Sequence, residues 1–197
     1  MILGITGSIG SGKTTIAKLF SKRHFSRIDA DEIAHRIIKK NSVAYKKIMR
    51  IFGSEILGKN KDIDRSKLGD IVFNSNKKLK RLNSVMHPII INEIKNQINK
   101  IRKKCGTDAK IIIDAPLLLE TKTKNMVDRV MVVKCGKDRI IKRLNKKFSK
   151  EKIEKILNSQ MKPDEKLKYA DFVVDNNQDL KHLEEQVKRI IKKLANE

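Results

Sequence analysis

Residues Gly7-Ser8-Ile9-Gly10-Ser11-Gly12-Lys13-Thr14 fill every fixed position of the pattern G-x-x-x-x-G-K-[ST]. The chemistry this spacing supports is phosphate binding. Gly7, Gly10 and Gly12 carry no side chain, so backbone N–H groups can close around phosphate oxygens. A helix starting directly after them adds unpaired donors and a favourable dipole. Lys13 would bring charge to the β- and γ-phosphates, and it is expected to project from a surface loop. The Thr14 hydroxyl can bind Mg²⁺. Ser11 and Thr15 complete the expected ATP-binding set. The chain holds only nine glycines in 197 residues, and three of them stand here. The loop reads as a site for a nucleoside triphosphate, with ATP expected.

A second candidate lies in IDADEIAHRI. Asp29 and Asp31 stand where an apolar strand gives way to a helical pattern, at the carboxyl edge of a sheet where α/β proteins bind ligands. A carboxylate there could accept the proton of an attacking hydroxyl. Asp31 could equally cap the helix that follows.

The elements that must position these residues alternate. Apolar, β-branched runs predict strands at Ile2 to Thr6, Phe25 to Asp29, Lys110 to Ala115, Arg129 to Lys134 and Asp171 to Asn176. Helical patterns lie between them, so the fold class is α/β, with a five-stranded parallel sheet flanked by helices. The stretch from about 42 to 105 is almost wholly helical. It is too long for one crossover and reads as a helical insertion. Asp64 is expected to cap a helix inside it. Pro88, after His87, is expected to break or kink the last long helix.

The phosphate loop alone does not separate kinases from other nucleotide hydrolases. The chain is too short for a two-domain helicase core. Positions 145–148, Asn-Lys-Lys-Phe, lack the aspartate of a guanine-reading N-K-x-D motif. A small sheet, a helical insertion and a basic late helix suit a small-molecule kinase, with an acceptor site and a lid flanking the loop.

Composition bounds the partners. Aromatics make up 4% of the chain, so Ile, Leu and Val must fill the core. The formal net charge of +23 is carried mostly by scattered lysines. Three causes fit: nucleic-acid binding, a compositional bias giving solvated Lys-rich faces, or a field favouring polyanionic small molecules. No basic motif interleaved with aromatics is present, so no specific nucleic-acid partner is expected. No run reaches the ~20 apolar residues of a membrane span, and the N-terminal MILGITGS reads as a strand rather than a signal peptide. Cys105 and Cys135 match no metal or redox spacing and are expected to be reduced thiols of a cytoplasmic protein.

The whole chain resembles the dephospho-CoA kinases, a family of the P-loop nucleotide and metabolite kinases. The matching segments are TGSIGSGKTT, IDADEIAH, FG at 52–53, DR and Leu68 at 64–68, VF at 72–73, LN at 82–83, HP at 87–88, DAPLLLE at 114–120, DRVMVV at 128–133, KRL at 142–144, Gln160 and KLKYADFVVDNN at 166–177. The phosphate loop is generic; the ordered set of DAD, HP, DAPLLLE and ADFVVDN is specific. The resemblance implies a P-loop kinase fold and transfer of the ATP γ-phosphoryl group to the ribose 3′-hydroxyl of dephospho-CoA. It implies a nucleotide core at 1–41, 106–142 and 163–197, a CoA-binding helical domain at 42–105 and a lid at 143–162.

Residue by residue, the resemblance makes Asp31 the base or orienter of the 3′-hydroxyl and Asp114 a Mg²⁺ residue acting through water. The alternative for Asp114 is a simple strand-end residue. Arg143 matches a lid arginine that stabilises the transferred phosphoryl group; the alternative is a solvated helix arginine. His87 is either a substrate contact or a structural residue beside Pro88. Lys13 and Thr14 keep the roles their motif gives them. The expected partners are ATP, dephospho-CoA and Mg²⁺, on a monomer or weak homo-oligomer.

Two positions depart from the family pattern. Ser8 stands where a glycine is usual, which requires a negative φ. Lys147 replaces a second lid arginine and lacks the planar fork. The rival readings are a P-loop kinase for another small hydroxyl, a nucleotide-dependent nucleic-acid protein and a binding module without turnover. Intact Lys13, Thr14, Asp31 and Asp114 speak against the last.

Overall fold

The computed structural model describes residues 1–195. It divides into two compact units, Met1–Asp29 with Ile98–Glu197, and Ala30–Gln97.

The first unit contains the sheet. Its strands are β1 Ile2–Thr6, β2 Ser26–Asp29, β3 Ile111–Asp114, β4 Arg129–Lys134 and β5 Phe172–Asp175. All pairings are parallel, and the order is β2-β3-β1-β4-β5. The expected α/β fold with a five-stranded parallel sheet is therefore present. β1 lies between β3 and β4, so the strand order reverses on either side of it. That switch point is where open α/β sheets leave a crevice at their carboxyl edge. The loop after β1 opens there.

Burial follows from the strand sequences. All five residues of β1 and all four of β3 are buried, as expected for strands covered on both faces. The helices that follow the phosphate loop and close the chain, α1 Lys13–Ser21 and α9 Leu180–Ala195, pack on the sheet. Ile16, Ala17 and Phe20 of α1 and Leu183, Val187, Ile190 and Leu194 of α9 join Leu3, Ile5, Met131 and Val174 in one core. Phe20 and Phe25 meet edge to face at 5.1 Å. Each aliphatic side chain so buried contributes about 1.5–3 kcal/mol.

The second unit is helical. α2 Ala30–Ile37, α3 Val43–Phe52 and α4 Arg65–Phe73 lead into α5 Asn76–Cys105, whose residues past Gln97 count with the first unit. Asp64 caps α4 as expected, accepting from the N–H groups of Ser66 and Lys67 at 2.9 and 3.2 Å. Ala44, Ile48, Phe52, Ile56, Leu68 and Val72 form the unit's core.

Pro88 does not break the helix: α5 runs through it without interruption. Proline removes one backbone hydrogen bond. Against that, Leu79, Leu82, Val85, Met86 and Ile89, on both sides of Pro88, all pack on the second core. Tertiary packing overrides the local preference.

The remaining helices of the first unit are α6 Lys137–Leu144, α7 Lys150–Asn158 and the short α8 Pro163–Leu167. Among the described residues, no helix is long and apolar enough to cross a membrane.

Candidate active site

The phosphate loop fills the turn from β1 into α1. Gly7, Gly10 and Gly12 have φ of 151°, 74° and 100°, values that strain any residue with a side chain. Space adds a second reason at two of them. A Cβ on Gly7 would meet the Val133 carbonyl oxygen at 2.6 Å, and one on Gly12 would meet Asn176 Nδ2 at 2.1 Å. Ser8 is not among the residues with positive φ, so serine fits there without strain. Gly12 precedes α1 and offers no side-chain cap. A helix N-terminus without a side-chain cap is thus turned toward the loop, where its dipole favours an anion.

Lys13 departs from expectation. It does not project from the surface: its residue is 6% exposed. Its ammonium donates to the carbonyls of Gly7 at 3.1 Å and Ser8 at 3.0 Å. The loop curls around its own lysine because an ammonium needs acceptors, and these carbonyls point inward. The charge therefore already sits where phosphates would enter.

The strand register brings Asp114 to the same edge. Asp114 ends β3 opposite Ile5 of β1, and it is 3% exposed. The Thr14 hydroxyl donates to its Oδ2 at 3.2 Å. Arg27 Nη2 donates to that oxygen at 2.8 Å and also to Asp29 Oδ2. Thr14 and Thr15 are exposed at the mouth of the loop.

Arg143, near the end of α6, donates from Nη1 to the Gly10 carbonyl at 3.1 Å and to Cys135 Sγ at 3.5 Å. Its charge is held against the phosphate loop. Burial pushes the Cys135 thiol up, with the guanidiniums of Arg143 and Arg139 pulling the other way. Lys147 lies exposed beyond α6.

Gly7, Gly10, Ser11, Gly12, Lys13, Thr14, Thr15, Asp114 and Arg143 thus gather around one loop in the first unit. Asp31 and His87 belong to the second unit. Asp31 is exposed and lies in the first turn of α2, where a carboxylate suits the helix dipole. His87 is half-buried within α5.

Five further side chains shape the loop, and none of them was assigned a role from sequence. Arg27 is one. Asn176 is buried and donates to the Ser11 carbonyl at 2.7 Å. Gln160 accepts from the Ile9 N–H at 3.1 Å. Lys166, fully buried, donates to Glu120 Oε1 at 2.8 Å and to the Pro116 carbonyl at 2.7 Å. Gln160, Glu120, Lys166 and Asn176 all lie in segments that carry the family resemblance. That was the available signal, but no local spacing reveals their partners.

The donor set suits a hard divalent cation. A threonine hydroxyl and a carboxylate meet at 3.2 Å beside a phosphate loop, and Mg²⁺ prefers oxygen ligands completed by phosphates and water. Among the described residues, the Thr14 and Arg27 bonds to Asp114 both fall on Oδ2, which leaves Oδ1 for a hydrated ion. No group of three or more His, Cys, Asp or Glu that could hold a metal ion exists among the described residues. Ser11 Oγ is buried in the loop without a hydrogen-bond partner among the described residues.

Comparison with known proteins agrees with this geometry. The dephospho-CoA kinase family model matches residues 1–182. A dephospho-CoA kinase of Fusobacterium nucleatum is 42% identical over 193 residues, covering 96% of each chain. The solved dephospho-CoA kinase from Campylobacter jejuni is similar with a TM-score of 0.69 at 31% identity, covering 99% of this chain and 97% of that one. A shikimate kinase from Acinetobacter baumannii, at 12% identity and a TM-score of 0.56, covers 99% of this chain and 93% of its own and shares the fold alone. With a full-length family match, relatives of this identity and a phosphate loop whose hydroxyl meets a strand-end carboxylate, the chain belongs to the dephospho-CoA kinase family.

Proposed function

We propose that this chain transfers the γ-phosphoryl group of ATP to the ribose 3′-hydroxyl of dephospho-CoA, giving CoA and ADP, the last step of coenzyme A synthesis. The observation that carries this reading is the pairing of Thr14 with Asp114 at the mouth of a complete phosphate loop, in a chain of this family. The bond formed is from the 3′-oxygen to the γ-phosphorus. The bond broken is from that phosphorus to the oxygen bridging to the β-phosphate.

The phosphate-loop N–H groups and Lys13 bind the ATP phosphates, and Lys13 exchanges its contacts with the Gly7 and Ser8 carbonyls for phosphate oxygens. Thr14 and, through water, Asp114 would hold Mg²⁺, which would supply neutralisation of the phosphate charge. Arg143 steadies the charge that spreads over the transferred group. Asp31 orients the 3′-hydroxyl and takes its proton; His87 contacts the substrate. The helical segment 42–105 holds the CoA moiety, 143–162 acts as the lid, and 1–41, 106–142 and 163–197 form the nucleotide core. The helical unit Ala30–Gln97 overlaps most of the substrate segment, which supports that division. The enzyme works in the cytoplasm as a monomer or weak homo-oligomer.

The deciding measurement is ADP release from Mg·ATP with dephospho-CoA, set against AMP, adenosine and RNA as acceptors. Release with dephospho-CoA alone is the expected result. Equal or faster release with AMP or adenosine would move the chain to another small-molecule kinase, and stimulation by RNA would favour the nucleic-acid reading.

A further inference from the structure

β2 carries Arg27 and Asp29 on one face, because alternate residues of a strand point the same way. The β2–β3 register places Asp29 directly beside Asp114. Two carboxylates therefore stand side by side at the sheet edge, next to the Thr14 hydroxyl. Left alone, such a pair repels itself and attracts a divalent cation. Arg27 occupies that place. Its Nη2 bonds to Oδ2 of both carboxylates, at 2.8 Å to Asp114.

The three side chains are mostly shielded, with 20% of Arg27, 20% of Asp29 and 4% of Asp114 exposed. Shielding strengthens the attraction beyond its value in water. The guanidinium cannot be neutralised by losing a proton. Its Nε is buried and has no hydrogen-bond partner among the described residues. Satisfying its own donors therefore does not explain its position; the two carboxylates do.

We propose that Arg27 is a positioning residue of the metal side of this site. It is a built-in countercation that holds Asp114 in place and keeps the Asp29–Asp114 pair from capturing a divalent ion before nucleotide arrives. The metal then enters with ATP, using the face of Asp114 that Arg27 leaves open. The inference rests on the reading that Thr14 and Asp114 form the metal side.

The test is titration of the purified full chain with Mn²⁺, followed by electron paramagnetic resonance. It is run without nucleotide and then with a non-hydrolysable ATP analogue. Without nucleotide, Arg27→Gln should bind Mn²⁺ about tenfold tighter than the unsubstituted chain, because one positive charge beside the ion is gone. Arg27→Lys, which keeps the charge, should stay close to the starting affinity. A gain in Arg27→Gln below about threefold overturns the proposal, since that is under 1 kcal/mol of charge effect.

If Arg27→Gln alone does not fold, Arg27→Gln/Asp29→Asn carries the test, because it restores the net charge of the cluster. A folded double variant with unchanged Mn²⁺ affinity supports the countercation role, and one that binds Mn²⁺ much more tightly overturns it. Asp114→Asn with the analogue checks the underlying reading. If it leaves Mn²⁺ binding intact, the metal assignment itself fails. If it weakens binding while Arg27→Gln gains nothing, only the role of Arg27 fails.

Discussion

Lys166 on α8 is fully buried and donates to Glu120 Oε1 at 2.8 Å. The same ammonium reaches the Pro116 carbonyl at 2.7 Å and the Thr6 hydroxyl at 3.4 Å. Glu120 Oε1 also accepts the Met161 N–H at 2.9 Å. Thr6 is the residue before Gly7. One buried pair therefore fastens three pieces together: the end of β1, the turn after β3, and the return from the segment 143–162. It sits directly behind the phosphate loop.

Removing one partner of a buried pair leaves an uncompensated charge, which costs about 3–5 kcal/mol. Lys166→Met should therefore destabilise the first unit by that amount in a denaturant titration. Lys166→Met/Glu120→Gln should recover part of the loss. It removes the orphaned charge and keeps an acceptor for the Met161 N–H. A double variant no more stable than Lys166→Met would show that packing around the lysine stem, not its charge, is what counts.

Lys13→Ala should keep the fold and lose turnover. The ammonium bonds to the Gly7 and Ser8 carbonyls of its own loop, and losing these two bonds should cost less than about 3 kcal/mol. The loss in kcat should be at least roughly 10²-fold, as for removal of one charge-stabilising donor. The check is steady-state turnover at saturating ATP together with thermal unfolding of the same sample. Near-normal turnover would take Lys13 out of the mechanism.

The fold was legible where the signal is local. β1, β3 and β4 read as buried strands because Ile, Val and Leu runs leave little else possible. The phosphate loop read clearly because its spacing and glycines fix the backbone. What the loop lysine touches was not legible, since motif spacing does not say where a flexible stem will fold. The strand order depends on crossovers, and no strand sequence contains it. Long-range partners were hidden for the same reason. Asn176 meets Ser11 across 165 positions, Gln160 meets Ile9 across 151, and Arg27 meets Asp114 across 87. Pro88 shows the opposite failure: a strong local signal lost to the apolar residues packed around it.

The segment 143–162 should become protected from hydrogen exchange when ATP and dephospho-CoA are both present. It contains α7 and carries Gln160, whose side chain holds the Ile9 N–H of the phosphate loop. Phosphoryl transfer needs water excluded, and a lid supplies that. Gln160→Ala should speed exchange at the Ile9 amide and reduce the ligand-induced protection. Exchange across the segment that ignores both substrates together would count against a lid.

Asp31 gives the sharpest separation of two roles. Phosphoryl transfer passes through a loose transition state, so an in-line hydroxyl matters more than a strong base. A carboxylate can fix the 3′-oxygen in line and take its proton late. Asp31 lies in the first turn of α2 and is exposed, beside Glu32. Its dipole contribution to that helix is accordingly modest, about 0.3–1 kcal/mol. Asp31 stands inside α2, one residue past its start, rather than at the N-cap, and asparagine keeps its size but loses charge and basicity. Asp31→Asn should therefore fold, bind ATP normally and lose roughly 10²–10⁴ in kcat, the range for a positioned acid–base group. A purely helical role gives the reverse pattern: a small drop in thermal stability with kcat almost unchanged. Both quantities are measured on one purified variant, with ATP affinity as the control. Full activity in Asp31→Asn would remove this residue from the chemistry. Lys13, Arg143 and the metal side at Thr14 and Asp114 would then have to account for catalysis by electrostatics alone.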